Sequence, residues 1–196
     1  MPRIISGTAR GRRIATPPGD GTRPTSDRVR EALFGRLEHL DALVDARVLD
    51  LYAGSGALAL EALSRGAASA LLVESGRRAA DVIAVNVEEL GFVAQVRHAK
   101  VTQVLAGVPP HTMHLVLIDP PYAVPDDEVT AALAALMTGG WLEPEAVVLL
   151  ERSTRSSEPQ WPRELHPLES RIYGETTLWF AEYQPEDRRA ADPAVL

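Results

Sequence analysis

A run of four residues, Asp119-Pro120-Pro121-Tyr122, follows an apolar segment and has the composition of a site that holds an amino group. The two prolines fix the backbone and remove two N–H donors, so the Asp119 carboxylate and the Pro120 carbonyl remain as paired acceptors. An amino group can donate one proton to each, and a planar base can stack on the Tyr122 ring for roughly 1–3 kcal/mol. We predict that Asp119 orients an aromatic amine and stabilises its developing charge, ahead of any role as a base.

A second candidate site is glycine-rich and lies upstream, where Gly54-Ser55-Gly56 joins an apolar run to a helical one. Its glycines allow close approach to a ligand, and the helix N-terminus offers free N–H groups. Glu74 ends the next apolar run, 20 residues after Gly54, and could accept hydrogen bonds from both hydroxyls of a ribose. Because the carboxylate of Asp50 would repel a pyrophosphate, the loop favours S-adenosylmethionine (SAM), which carries a sulfonium and an ammonium group. A nicotinamide or flavin dinucleotide is the alternative cofactor.

Alternating strand and helix patterns position both loops. A helix is predicted from Asp27 to about Leu40, because apolar residues recur there at helical spacing. Four helical segments, at 57–65, 77–90, 101–105 and 128–137, then alternate with five apolar runs, at 48–51, 70–74, 95–98, 115–119 and 146–151. This pattern predicts a parallel sheet with helices on both faces and ligands at the carboxyl ends of its strands. Two further strands, at 170–173 and 176–183, are predicted to form a hairpin, so at least one strand is antiparallel.

Length and composition bound the class of protein. The chain has 196 residues, of which 45% are hydrophobic and 24% charged, as expected for one globular domain. It contains no cysteine, which excludes disulfides, thiol nucleophiles and cysteine-bound zinc or iron–sulfur clusters. No apolar run approaches the ~20 residues of a membrane helix, and the N-terminus lacks the apolar segment of a secretion signal. We therefore expect a soluble, cytoplasmic protein.

Positive charge is concentrated at the N-terminus. Residues 1–36 contain eight arginines and three acidic residues, although the net charge of the whole chain is −7. This asymmetry suggests that the basic segment meets a polyanion, and a solvated tail without a partner is the alternative. We predict three regions: a basic N-terminal arm with a short hairpin (1–26), one catalytic domain (27–183) and a disordered tail (184–196).

Two longer motifs, RIISGTARGRRI at 3–14 and RPTSDRVREALF at 23–34, accompany the two loops and the YGET run at 173–176. Together they resemble the bacterial 16S rRNA guanine-N2 methyltransferase family (RsmD-like), over nearly the whole chain. The resemblance implies a Rossmann-like, class I SAM-dependent methyltransferase, with a mostly parallel seven-stranded sheet that has one antiparallel strand. It further implies methylation of the exocyclic amine of one guanine in 16S rRNA, within the 30S subunit or its assembly intermediate, by a monomer.

The resemblance also implies roles for individual residues. The predicted catalytic residues are Asp119, Pro120, Pro121 and Tyr122. The predicted cofactor-binding residues are Asp50, Tyr52, Ala53, Gly54, Ser55, Gly56, Glu74, Ser75, Ala99 and Lys100. The predicted RNA-binding residues are Arg10, Arg12, Arg13, Arg23 and Arg28, of which Arg23, with Thr25, could instead close over the carboxylate of the cofactor.

Several other residues are predicted to serve the structure alone. Asn86 lies in a predicted helix and is interpreted as a surface or structural residue. The three tryptophans, Trp141, Trp161 and Trp179, are expected to pack rather than to stack on bases. The five histidines show no ligand spacing, so no metal site is expected.

Three alternatives remain open at this stage. The first is an amino-methyltransferase with another target: adenine-N6 or cytosine-N4 in DNA, or a protein glutamine. The second is a non-catalytic RNA-assembly factor that binds SAM, which the presence of both Asp119 and Tyr122 argues against. The third is an NAD-dependent oxidoreductase, which titration with NADH against SAM would distinguish.

Overall fold

A seven-stranded sheet organises residues 2–17 and 26–185, the part of the chain that the computed structural model describes. The helices are α1 (Asp27–His39), α2 (Ala57–Ser64), α3 (Arg77–Leu90), α4 (Val101–Leu105) and α5 (Asp126–Thr138). The strands are β1 (Arg47–Leu51), β2 (Ser69–Glu74), β3 (Ala94–His98), β4 (Met113–Ile118), β5 (Leu142–Ser153), β6 (Leu165–Tyr173) and β7 (Thr176–Tyr183). No helix within the described ranges is both long enough and apolar enough to cross a membrane.

The strand order is β3-β2-β1-β4-β5-β7-β6. Strands β1 to β5 pair in parallel, and β7 runs antiparallel to both of its neighbours. The Rossmann-like architecture with one antiparallel strand, predicted from the sequence, is therefore confirmed. The order reverses at β1, where the chain has laid β2 and β3 on one side and places β4 on the other. Crevices at the carboxyl ends of the strands open at such a switch point.

The five helices and strands β1 to β4 begin and end within two residues of their predicted positions. The predictions for β5 and β6 were too short. Strand β6 begins at Leu165 rather than Ser170 and includes Pro167, where its pairing with β7 shifts register. A proline is tolerated there because β6 is an edge strand, and the backbone groups along its outer edge have no partner strand to bond. A polar, proline-containing edge strand has little of the apolar pattern by which strands are recognised.

Two clusters of apolar side chains, one on each face of the sheet, form the core. Helix α1 contributes Leu33, Phe34 and Leu37 to the first cluster, all fully buried. Trp141 belongs to the second cluster, and its indole N–H donates to the Leu105 carbonyl at 3.3 Å. Trp161 and Trp179 pack against the same cluster, as expected of structural tryptophans.

The N-terminal segment, residues 2–17, is docked on the sheet domain. Its backbone turns back on itself through an antiparallel bridge between Arg3 and Arg13, and Ile4 and Ile14 are fully buried in the first core cluster. The buried carboxylate of Glu61, on α2, accepts from the N–H groups of Ile5 at 2.7 Å and Ser6 at 3.0 Å. The predicted domain boundaries remain predictions, because residues 18–25 and 186–196 lie outside the described part.

Asn86 also holds this segment, and its placement at the surface was wrong. The side chain is only 1% exposed. Its amide accepts from the Ala15 N–H at 2.9 Å and donates to the carbonyls of Ala15 at 3.0 Å and Ser55 at 3.2 Å. The structural half of the interpretation therefore holds, and Asn86 connects the N-terminal segment to the glycine-rich loop. The hydrogen-bond partners are too distant in sequence for a local pattern to reveal them.

The docking predicts a difference between two glycine substitutions. Both Gly7 and Gly11 have positive φ, +80° and +81°, but a Cβ on Gly7 would lie 1.7 Å from the Ser64 carbonyl oxygen, whereas one on Gly11 meets nothing within 4 Å. Gly11→Ala should cost about 1–2 kcal/mol of unfolding free energy from left-handed strain. Gly7→Ala should cost about 1–3 kcal/mol more because of overpacking, as measured by urea unfolding. Equal losses in the two variants would contradict this docking of the segment.

Candidate active site

A cleft of about 240 Å³ opens at the carboxyl ends of the central strands. Leu51 and Ile118 are opposite each other in the parallel pairing of β1 and β4, so the chain leaves both strands side by side. This pairing brings the glycine-rich loop (residues 52–56) next to the Pro-Pro loop (residues 119–122). Eleven of the predicted catalytic and cofactor-binding residues line the same cleft: Asp50, Tyr52, Ala53, Gly54, Ser55, Glu74, Ser75, Asp119, Pro120, Pro121 and Tyr122.

Glu74 fastens the glycine-rich loop. One carboxylate oxygen accepts from the Gly54 N–H at 2.9 Å, and the other accepts from the Gly76 N–H at 2.6 Å. Each oxygen has a second lone pair, so the carboxylate retains capacity for hydroxyl groups of a ligand. The predicted contact with a ribose is therefore chemically possible in the geometry that the loop already has.

Three predicted cofactor residues do not line the described cleft. Gly56 lies beneath the loop, at the start of α2, where its φ is +78° and an added Cβ would lie 3.2 Å from side-chain atoms of Leu72 and Ile83. The Ala99 N–H donates to the Glu74 carbonyl at 3.1 Å, and Lys100 is exposed at the start of α4. Gly56 thus permits close packing of the loop, and cofactor contacts by Ala99 and Lys100 remain predictions.

Asp50 is buried at the base of the cleft with one carboxylate oxygen available. Its Oδ2 accepts from the Ala59 N–H at 3.1 Å, and its Oδ1 has no hydrogen-bond partner among the described residues. Burial raises the pKa of Asp50 to about 7, the Ala59 N–H opposes this shift, and the charge of Glu74 adds to it. A buried carboxylate oxygen without a donor is complementary to a ligand that brings a positive charge and N–H groups.

Tyr52 and Arg152 contact the part of the chain that follows the Pro-Pro loop. The phenol of Tyr52 donates to Glu128 on α5 at 3.3 Å, and burial, together with the nearby Glu128 carboxylate, raises the pKa of Tyr52 to about 12. Arg152 donates through Nη2 to the Val124 carbonyl at 3.0 Å and to Asp126 at 2.6 Å, which fixes the chain just after the loop. Pro120 is buried, whereas Tyr122 is 62% exposed and presents its ring at the mouth of the cleft.

Sequence reasoning missed two buried arginines in the cleft lining, Arg30 and Arg152. A signal for Arg30 was present, because Arg30, Leu33, Phe34 and Leu37 share one face of α1 at helical spacing. Arg152 follows the apolar run of β5, and no pattern around it indicates burial. Pro2 and Thr16 from the N-terminal segment also line the cleft, which local sequence patterns could not show.

The predicted RNA-binding arginines lie on the surface. Arg10, Arg12 and Arg13 are exposed, and Arg12 donates to the Glu89 carbonyl at 2.8 Å. Arg28 lines a groove beside Tyr122. Arg23 and Thr25 lie outside the described residues. Among the described residues, no group of three or more histidine, aspartate or glutamate side chains could hold a metal ion.

The fold and the paired loops define a class of protein. A mostly parallel sheet with an antiparallel seventh strand, and a ligand cleft where the strand order reverses, is the Rossmann-like architecture of class I methyltransferases.

Comparison with known proteins gives the family. The family model described as Conserved hypothetical protein 95 matches residues 2–182, and the chain belongs to this family, the RsmD family. The chain is 38% identical over 192 residues to ribosomal RNA small subunit methyltransferase D of Escherichia coli K12. The alignment covers 97% of this chain and 93% of that protein.

Solved structures agree. The Escherichia coli protein YhhF has a TM-score of 0.82 at 33% identity, with 94% and 98% of the two chains covered. A protein of Thermus thermophilus has a TM-score of 0.76 at 30% identity, with 93% and 99% covered. The resemblance inferred from the sequence motifs is confirmed.

Asp50 predicts a pH dependence of stability. Its pKa is about 7 in the folded protein and about 3.9 when unfolded, so between these values the folded state holds the extra proton and is favoured at lower pH. The unfolding free energy of the unchanged protein minus that of Asp50→Asn should therefore fall as pH rises from 4 to 7, and level off above 7. Urea unfolding of both proteins across this range checks it, and a difference that does not change with pH would contradict it.

Proposed function

We propose that the protein transfers a methyl group from SAM to the exocyclic N2 amine of a guanine in 16S rRNA. The observation that carries the proposal is the pairing of Leu51 with Ile118, which places the glycine-rich loop and the Pro-Pro loop at one cleft. The name of the Escherichia coli relative, a ribosomal RNA small subunit methyltransferase, supports the substrate class. The proposed setting is the 30S subunit or its assembly intermediate, in the cytoplasm, with the protein acting as a monomer.

The donor groups of the cleft fit SAM. The free Oδ1 of Asp50 suits its ammonium group, and the Glu74 carboxylate suits its ribose hydroxyls. A dinucleotide fits less well, because its pyrophosphate would approach the buried Asp50 carboxylate. When bound, SAM supplies a methyl group carried on a positively charged sulfur.

The Pro-Pro loop supplies the groups that act on the amine. Asp119 and the Pro120 carbonyl would each accept one amine proton, which favours a pyramidal nitrogen whose lone pair points toward the methyl carbon. With SAM bound, the amine lone pair would form a bond to the methyl carbon as the carbon–sulfur bond breaks, S-adenosylhomocysteine would leave, and the nitrogen would lose one proton to solvent. Asp119 stabilises the positive charge that forms on the nitrogen before that proton leaves. A guanine has to leave its stack to reach this position, where the exposed Tyr122 ring offers it a new face.

Other readings have less support. DNA bases and a glutamine amide present the same kind of amine, but the exposed arginines of the N-terminal segment favour a nucleic acid over a protein. A non-catalytic assembly factor would not need the combination of Asp119, Pro120 and Tyr122 at the cofactor cleft. The test is therefore chemical identification of the product.

Nucleoside mass spectrometry tests the reaction and the base together. Incubation with methyl-labelled SAM and unmethylated 30S subunits should yield labelled N2-methylguanosine. Asp119→Ala should lower the rate by about 100-fold or more while SAM binding persists, because one preorganised polar group is lost from the transition state. Labelled adenosine, cytidine or protein would redirect the assignment to that target. No labelled product, despite measured SAM binding, would contradict the proposal that the 30S subunit is the substrate.

The N-terminal segment should contribute phosphate contacts. Changing Arg10, Arg12 and Arg13 together to Ala should weaken RNA binding and lower the slope of log Kd against log salt by up to about 2–3, since each lost phosphate contact removes roughly one ion. Arg97, an exposed arginine on the edge strand β3 and outside the N-terminal segment, provides the control, and Arg97→Ala should leave the slope unchanged. An unchanged slope in the triple variant would remove this segment from the RNA interface.

A further inference from the structure

Arg30 is a buried cation with free donors in the lining of the cleft. The side chain is 1% exposed, and its Nη2 donates to the Arg3 carbonyl at 2.9 Å and to Asp27 at 2.7 Å. Its Nε and Nη1 are buried and have no hydrogen-bond partner among the described residues. A buried guanidinium with two unpaired nitrogen atoms is costly, so an arrangement of this kind points to an anionic ligand that completes it.

Arg30 is connected through the N-terminal segment to the glycine-rich loop. It binds the carbonyl of Arg3, and the two ends of the N-terminal segment, at Pro2 and Thr16, line the cleft beside it. The backbone of Ala15 is joined through Asn86 to the Ser55 carbonyl. The segment that Arg30 holds is thus fastened to the loop predicted to contact the cofactor.

The amino-acid end of SAM carries two charges on one carbon atom, an ammonium and a carboxylate. Asp50 can serve only the ammonium, and a nearby cation with free N–H groups is well suited to the carboxylate. Two arginines line the described cleft. Arg152 is committed through Nη2 to Val124 and Asp126, which follow the Pro-Pro loop, and this places it on the side of the methyl acceptor.

We propose that Arg30 binds the carboxylate of SAM through its Nη1, while Asp50 receives the ammonium group. This inference rests on the proposed function, because it takes SAM as the cofactor. Nη1 carries two N–H groups and has no partner among the described residues, so it can donate a charge-assisted hydrogen bond to a carboxylate oxygen. Nη2 keeps its bonds to Arg3 and Asp27 and holds the arginine in place.

Binding measurements on two related ligands test this without any methyl transfer. S-adenosylhomocysteine has both charges, and its decarboxylated analogue keeps the ammonium but lacks the carboxylate. Calorimetry on the unchanged protein should show about a 10- to 100-fold preference for S-adenosylhomocysteine, the range for charge-assisted hydrogen bonds to one group. Arg30→Gln should lower its affinity by a similar factor, leave the affinity for the analogue unchanged and so abolish the preference.

Three further variants separate ligand binding from structural support. Arg30→Lys keeps a buried positive charge but lacks the planar guanidinium that is anchored through Nη2, so it should fold and lose most of the preference. Arg152→Gln removes the other cleft arginine, which also has two unpaired buried nitrogens, and should leave the preference unchanged. Asp27→Asn removes the negative charge beside Arg30 while the Arg3 carbonyl still accepts from Nη2, and should lower the preference less than Arg30→Gln does.

The possible failures are distinguishable. Equal losses for both ligands in Arg30→Gln would mean that Arg30 only supports the structure, and the inference would be overturned while the proposed function stands. The same holds if the unchanged protein does not discriminate between the ligands, or if Arg152→Gln abolishes the discrimination. If the unchanged protein binds neither ligand, the choice of SAM fails and the proposed function fails with it.

Discussion

The parallel pairing of β1 with β4 is the constraint on which the site depends. In sequence, the glycine-rich loop and the Pro-Pro loop are more than 60 residues apart, yet Leu51 and Ile118 are neighbours in the sheet. The chain therefore leaves both strands at the same end of the sheet, and the cleft lies between the two loops. Backbone ladder bonds set this spacing, so it does not depend on the flexible side chains that face the cleft.

The N-terminal segment belongs to the same site. Ile4 and Ile14 are part of the core, and several backbone N–H groups of the segment donate to the buried side chains of Glu61, Ser64 and Asn86. Because Asn86 also binds the carbonyl of Ser55, the segment and the glycine-rich loop share one hydrogen-bonded support. The basic surface proposed to meet RNA is therefore connected by hydrogen bonds to the wall of the cleft.

Buried charge at the cleft is only partly compensated within the described chain. Asp50, Arg30 and Arg152 each retain at least one buried polar atom without a hydrogen-bond partner there. Such groups lower the stability of the folded protein, and their presence together in one cleft indicates preparation for a charged ligand. The signs are complementary to a zwitterion, with an anionic group on the strand β1 side and a cationic group on helix α1.

The sequence by itself determined the alternating elements, the two loops and the family. Helical spacing, apolar strands and turn residues are local signals, and they placed the helices and the first four strands to within two residues. The glycine-rich and Pro-Pro loops were recognisable because their chemistry resides in consecutive residues.

Only the tertiary structure decided which other side chains complete the site. In the sequence, Asn86 is an ordinary polar residue of a helix. Its structural role comes from its hydrogen bonds to Ala15, which precedes it by 71 residues. The burial of Arg30 was indicated by its helix face, but its unpaired nitrogens depend on which groups the N-terminal segment and α1 bring near it. The edge strand β6, with a proline and mostly polar residues, became a strand through pairing with β7. Hydrogen bonding between distant segments is set by packing geometry, and local sequence patterns carry no record of it.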